Sequence, residues 1–175
     1  DADAKAKFRH GHCDAFAVAL TEKLDLPGAL VALPYPDPDD SEETAYEYAH
    51  SVAVVSQDPP VVMDVDGAHR LSDMAERCVF DNAPDALGPP QLFAVGGRDY
   101  AEAFSMDGPE PEAIDEARRI VEAEPDLYRI PDEHRYPPEA LESGDGRLRR
   151  IVDALLEAED RPTWADFVAR QEMGD

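Results

Sequence analysis

Positive charge is scarce in this sequence. Its 175 residues hold 16 Lys and Arg against 40 Asp and Glu, which gives a formal net charge of −24, and the lysines are confined to Lys5, Lys7 and Lys23. Such a surface repels phosphate backbones and anionic lipid head groups, so we expect neither a nucleic-acid nor a membrane partner. A basic partner, or a protein or peptide substrate, is compatible with it. Abundant Asp with few lysines also favours a halophilic protein.

Cysteine is rare too, and long apolar runs are absent. Two cysteines, Cys13 and Cys78, do not make a disulfide framework, which favours a reducing compartment. No run of about 20 apolar residues exists to span a membrane. The segment 1–13 (DADAKAKFRHGHC) lacks the apolar stretch of a signal peptide. We therefore predict a cytoplasmic protein. Gly96-Gly97 is too short for a phosphate-binding loop, and we expect no cofactor.

The apolar pattern predicts one α+β domain over residues 1–175. A helix from about His12 to Leu24 carries Cys13 and packs on a small antiparallel sheet. The predicted strands span residues 29–33, 46–56 and 61–65. Because only a short turn separates the last two, we expect them to form a hairpin. Period-two alternation puts Tyr46, Tyr48, His50, Val52 and Val54 on one face.

Residues 1–95 are thus expected to hold the helix, the sheet and the candidate site, and residues 96–175 a mainly helical extension. Amphipathic spacing predicts the later helices. These further predicted elements are a short helix at 71–78, a strand at 91–95, and helices at 109–124, 147–159 and around Trp164.

Cys13 is the first candidate for chemistry. It follows the loop His10-Gly11-His12 at a helix start, where the helix dipole favours a thiolate. The thiolate is the nucleophilic form of cysteine, and the amides of a helix start can serve an oxyanion hole. This position therefore suits covalent catalysis.

His50 and Asp64 complete the candidate site. Each interrupts an apolar strand, and on the predicted hairpin the two can be cross-strand neighbours. A thiol nucleophile needs a base within hydrogen-bond reach, and that base needs a group that fixes its tautomer. The pattern predicts Cys13 as nucleophile, His50 as base and Asp64 as orienting acid.

Each residue also has a structural interpretation. A single Cys on a helix is usually a small core residue, and a single His on a strand is usually hydrogen-bonded and structural. An Asp at a strand end usually caps the next turn, here Asp66-Gly67. Two rival sites are weaker. His10, His12 and Cys13 are too close in sequence to surround a zinc ion, so we expect no metal, and Cys78, a possible partner of His134, lies in an apolar pattern.

A family resemblance rests on the same residues. GHCDAFAVAL, followed by AHSVAVV and then VVMDVDG, resembles the papain-like superfamily in its transglutaminase-like arrangement. It is closer still to small uncharacterised bacterial and phage proteins with a Gly-x-Cys helix followed by His and Asp strands. The resemblance covers about residues 8–67 and implies the same three roles. No Trp follows Cys13, unlike many members.

We therefore expect a thiol-dependent acyl-transfer enzyme that carries out amide or ester hydrolysis, deamidation or transamidation with a Cys13-His50-Asp64 triad. The alternative is a non-catalytic binding or phage structural protein on the same scaffold, with an acidic partner-binding surface.

Overall fold

The computed structural model describes residues 2–9, 11–37, 42–57, 59–76, 87–88, 90–94 and 108–134. These ranges hold four α-helices, five strands and one 3₁₀ turn. In chain order the elements are α1 Ala2–Arg9, α2 Cys13–Leu24, β1 Gly28–Pro36, β2 Thr44–Gln57, β3 Pro60–Asp64, β4 Gly67–Arg70, α3 Leu71–Glu76, β5 Gln91–Ala94, α4 Pro111–Ala123 and the 3₁₀ turn Asp132–His134.

The five strands form one antiparallel sheet in the order β4-β3-β2-β1-β5. The predicted hairpin of β2 and β3 is present, with Ala53 opposite Met63. The α+β class, with a Cys-bearing helix on a small antiparallel sheet, is therefore confirmed.

Alternating residues of the central strands divide the core between the two faces of the sheet. Ala53, Val55 and Met63 pack with the helices, whereas Val52 and Val54 belong to a second cluster. The helical side of the first cluster consists of Phe8, Ala15, Phe16, Ala19, Leu20, Ala113, Ala117 and Val121. The second cluster is completed by Ala29, Val31, Leu33, Val62, Leu71, Met74 and Leu92.

A β-bulge changes the predicted alternation in β2. Val31 of β1 pairs with His50 and Ala32 pairs with Tyr48, so Ala49 is an extra residue on β2. The alternation reverses there, and Tyr46, opposite Pro34, no longer shares the face of His50. The expected five-residue face is therefore wrong before the bulge. A bulge of this kind re-aims the neighbouring side chain, which here is His50.

Besides the short 3₁₀ turn, two described elements were not predicted from the sequence. Helix α1 precedes α2, and its Phe8 ring lies 5.1 Å from the Phe16 ring, centroid to centroid. Strand β4 begins at Gly67, where the sequence analysis predicts a turn and no further strand before residues 91–95. Both elements matter for the site because they contact the turn between β3 and β4.

Ion pairs join the N-terminal helices to α4 and the residue that follows it. Each of the chain's lysines is used, and Arg118 of α4 bonds Glu22 of α2 with its Nη2 at 2.6 Å. The lysine pairs are Lys5–Glu124 at 2.7 Å, Lys7–Glu116, and Lys23–Glu122 at 3.6 Å. The exposed pairs of α2 with α4, Arg118–Glu22 and Lys23–Glu122, stabilise little individually, so apolar packing carries most of the contact between these two helices.

The predicted helices at 147–159 and around Trp164 lie outside the described residues, as do Cys78, His10 and Gly96-Gly97. The predicted helix at 109–124 corresponds to α4, the helix at 71–78 to α3 and the strand at 91–95 to β5.

Candidate active site

Asp64 is the last residue of β3, and its two carboxylate oxygens have different partners. Oδ1 accepts a hydrogen bond from the backbone N–H of Asp66 at 2.8 Å. Oδ2 lies 3.1 Å from Nε2 of His50. The first contact is an Asx turn, which is the capping role expected of an Asp at a strand end. The second is the contact expected of an orienting acid, so one side chain makes both.

His50 reaches Asp64 diagonally across the hairpin. Continuing the register from Ala53 and Met63 places Val52 opposite Asp64, so His50 lies one step further along the same face. A carboxylate only accepts, which means that Nε2 of His50 carries the proton in this bond. The His50 side chain is 2% exposed.

The remaining nitrogen of His50, Nδ1, is not engaged by Asp64. Nδ1 has no hydrogen bond of standard geometry within the described ranges. The Cys13 side chain nevertheless lies close enough to act on the ring both as a hydrogen-bond partner and as a charge. Contacts between a nucleophile and its base are often loose before substrate binds.

Burial and these two partners have opposite effects on the charge of His50. Burial disfavours the imidazolium, but the hydrogen bonds to Asp64 and Cys13 and their negative charges outweigh it. Together they raise the pKa of His50 from 6.5 to about 9. His50 is therefore charged at neutral pH, which favours the thiolate form of its neighbour.

Cys13 begins α2, and the turn before it fixes where the thiol lies. The backbone N–H of His12 donates to the carbonyl of Lys7 at 3.2 Å, so α2 starts almost directly after α1 ends. Asp14 takes up one amide of the first helical turn, with Oδ1 2.7 Å from the N–H of Ala15. Cys13 is not part of a disulfide and is 9% exposed.

The turn that carries Asp64 is held from three sides. Arg9 of α1 bonds both oxygens of Asp66, with Nε–Oδ2 at 2.9 Å and Nη2–Oδ1 at 2.5 Å. Tyr128 donates its hydroxyl to the carbonyl of Val65 at 2.8 Å. Gly67 closes the turn at φ +94° against Leu127. These contacts fix the position of Asp64 relative to α1 and α2.

Gly67→Ala should therefore lower the free energy of unfolding by about 1–3 kcal/mol, because an L residue is strained at this φ. The added Cβ would also lie 3.0 Å from both Cδ1 and the carbonyl oxygen of Leu127. Urea unfolding monitored by circular dichroism measures the effect. Gly11→Ala is the matched control, since its Cβ meets nothing nearer than 3.9 Å. Equal losses in the two variants would contradict the role assigned to Gly67.

His69 is the residue of this site that the sequence analysis missed. It lies on β4 opposite Val62, is 8% exposed, and places Nε2 3.7 Å from Oδ2 of Asp64. The signal was available, because Asp66-Gly67 between apolar segments is a strong hairpin signal. Extending the pattern through Gly67 would have put His69 on the face of Asp64.

The rival sites gain no support from the described part of the chain. No group of three His, Cys, Asp or Glu side chains there is arranged to hold a metal ion. His134 ends the 3₁₀ turn, while its suggested partner Cys78 is outside the described ranges. Among the helices described, none is long and apolar enough to cross a membrane.

Comparisons of the chain with protein-family models, with curated proteins and with solved structures found no match.

Proposed function

We propose that this protein is a thiol-dependent acyl-transfer enzyme in which Cys13 is the nucleophile, His50 carries the proton and Asp64 orients His50. One observation carries the proposal: a thiol at a helix start acts on a buried imidazole whose Nε2 is bonded to a buried carboxylate. The three side chains come from three different elements, α2, β2 and β3. The resemblance of residues 8–67 to the papain-like and transglutaminase-like superfamily is part of this proposal.

The first half of the reaction forms a thioester. The Cys13 thiolate attacks the carbonyl carbon of an amide or ester, and a C–S bond forms as the carbonyl electrons move to oxygen. When the C=O bond re-forms, the C–N or C–O bond breaks and the leaving group takes the proton of the His50 imidazolium. Cys13 then holds the acyl group and His50 is neutral.

The second half releases the acyl group. Water or an amine attacks the thioester and gives its proton to His50, and the C–S bond breaks to restore the thiolate and the imidazolium. Water gives hydrolysis or deamidation, and an amine gives transamidation. Throughout, the bond from Asp64 to Nε2 holds the imidazole in place and leaves Nδ1 as the nitrogen that exchanges the proton.

The net charge limits the class of substrate that we propose, and the compartment bears on the state of Cys13. With a net charge of −24, a basic protein or peptide is the substrate class that the surface attracts, and nucleic acid and membranes are the classes it repels. A reducing cytoplasm would keep Cys13 as a thiol.

The burial of the site favours a second candidate. Cys13, His50 and Asp64 expose 9%, 1% and 5% of their surfaces. A site this enclosed also fits a non-catalytic binding or phage structural protein in which the three residues serve only as a polar core. Their partner would then meet the acidic surface.

An ester probe separates the two candidates. With p-nitrophenyl acetate at pH 7, we expect a burst of nitrophenol and one acetyl group on Cys13, seen by intact-mass and peptide mapping. Cys13→Ser should lower the burst rate about a thousandfold or more, the scale on which a lost nucleophile acts. Replacing water by methylamine then tests whether an amine accepts the acyl group.

Cys78→Ser is the matched control, because it makes the same change at the other cysteine. It should keep the burst. Acetylation of Cys78 in place of Cys13, or an equal rate in Cys13→Ser, would support the non-catalytic candidate.

A further inference from the structure

Two histidines face the same carboxylate oxygen. Oδ2 of Asp64 lies 3.1 Å from Nε2 of His50 and 3.7 Å from Nε2 of His69. The hydrogen bond to His50 is formed, whereas Nε2 of His69 is buried and has no hydrogen-bond partner among the described residues. A buried nitrogen without a partner is costly, so its position beside Asp64 needs an explanation.

The other ring nitrogen of His69 decides which tautomer is present. Nδ1 lies 3.1 Å from the carbonyl oxygen of Gly67, and a carbonyl only accepts, so Nδ1 carries a proton. In neutral His69 the lone pair of Nε2 then faces the carboxylate, which is unfavourable. A second proton, on Nε2, turns the same contact into an attractive ion pair.

We propose that His69 is a second positioning residue of the site, which competes with His50 for the carboxylate of Asp64. The effect of this competition on catalysis rests on the proposed function, whereas the competition itself can be measured without turnover. When both histidines are charged, one oxygen serves two imidazolium ions, and the hold of Asp64 on His50 weakens. When His69 is neutral, Oδ2 belongs to His50 alone.

The competition works in both directions. Two like charges that share one counter-charge each lower the proton affinity of the other, and the coupling is equal from either side. Other ionisable groups also lie around Asp64 and His50. They are Cys13 of α2, the Arg9–Asp66 pair at the turn and the phenol of Tyr128, while Asp73 of the adjacent α3 is exposed.

The titration of His69 tests the proposal without any need for turnover. We would follow the ring resonances of ¹⁵N,¹³C-labelled histidine by NMR in the full chain, and assign His69 from the signal lost in His69→Gln. In His50→Gln the competing charge is gone, so His69 should bind its proton about three to ten times more tightly, which corresponds to roughly half to one pH unit. Asp64→Asn should have the opposite effect on His69.

His134→Gln provides the control, because it removes a histidine of the 3₁₀ turn that has no contact to Asp64. The midpoint of His69 should stay unchanged in that variant. An unchanged midpoint in His50→Gln as well would overturn the proposal. If a variant fails to fold, the histidine titration of the parent chain alone tests the proposal. There, protonation of His69 should add a second inflection to the His50 resonances, and a single inflection would contradict the coupling.

The ester probe distinguishes failure of this proposal from failure of the proposed function. If the two histidines titrate in a coupled way but no acyl transfer is seen, the shared carboxylate is supported and the proposed enzyme activity is contradicted. If acyl transfer is seen but the two histidines titrate independently, the enzyme activity is supported and the shared carboxylate is contradicted.

Discussion

Cys13 should react with iodoacetamide about 10–100 times more slowly at pH 6 in His50→Ala than in the parent chain. An ordinary thiol has a pKa of about 8.5, so only a few thousandths of it is thiolate at pH 6. The charged His50 beside Cys13 favours the thiolate, and its loss returns the thiol to the ordinary fraction. Part of the gain is offset because a more stable thiolate is a weaker nucleophile.

Asp64→Asn should slow the same reaction by a smaller factor. Asp64 uses one oxygen for the N–H of Asp66 and the other for His50, and both contacts need an acceptor. Asparagine has only one acceptor oxygen, so the variant must lose either the turn contact or the bond to His50. Because the carboxylate acts on the thiol only through His50, its loss costs less than the loss of the imidazole.

Both variants are best made in a Cys78→Ser background, where Cys13 is the only thiol. Alkylation rates between pH 5 and 9, with urea unfolding in parallel, separate reactivity from folding. His134→Ala controls for the removal of a histidine elsewhere. Superimposable pH–rate profiles in all variants would show that Cys13 has no base, and the enzyme proposal would fall in favour of the binding protein.

His50 should titrate with a midpoint near 9, far above the 6.5 of an ordinary histidine. Burial lowers the pKa of His50, while Asp64 and Cys13 stabilise the imidazolium and raise the pKa by more. The imidazolium therefore persists below about pH 9 and is lost above it. Acyl transfer needs that proton for the leaving group and should fall as the pH rises through about 9. Alkylation of Cys13 needs only the thiolate and should not fall there.

Histidine NMR measures the midpoint, and the signal absent from His50→Gln identifies His50 among the five histidines. The pH–rate profiles for acyl transfer from a peptide p-nitroanilide, whose leaving amine must be protonated, and for alkylation by iodoacetamide measure the divergence. A His50 midpoint near 6.5, or alkaline limbs that coincide, would contradict the thiolate–imidazolium pair. Cys13→Ala should lower the midpoint, since it removes one of the two groups that hold the charge.

The sequence was sufficient to predict the positions of Cys13, His50 and Asp64, because polar residues that interrupt apolar elements are visible without a structure. It also placed the β2–β3 hairpin. The roles of the three residues stay a prediction. The bulge at Ala49 was not predictable from alternation, since an extra residue leaves no mark in the pattern.

The elements that hold the turn escaped prediction for a different reason. Helix α1 buries Phe8 and is otherwise tied down by ion pairs with residues far along the chain, so its sequence has little apolar periodicity. Strand β4 was not predicted because it has only four residues, and the expected Asp66-Gly67 turn was not extended into a second hairpin. With β4 went His69.

The bond from Arg9 to Asp66 has a mechanical consequence. Arg9 and Cys13 are four residues apart on one continuous segment, and Arg9 holds the turn that carries Asp64. If α1 and α2 shift together against the sheet, Cys13 and Asp64 are displaced in the same direction. The distance between Cys13 and Asp64 would then change little when the helical layer moves relative to the sheet.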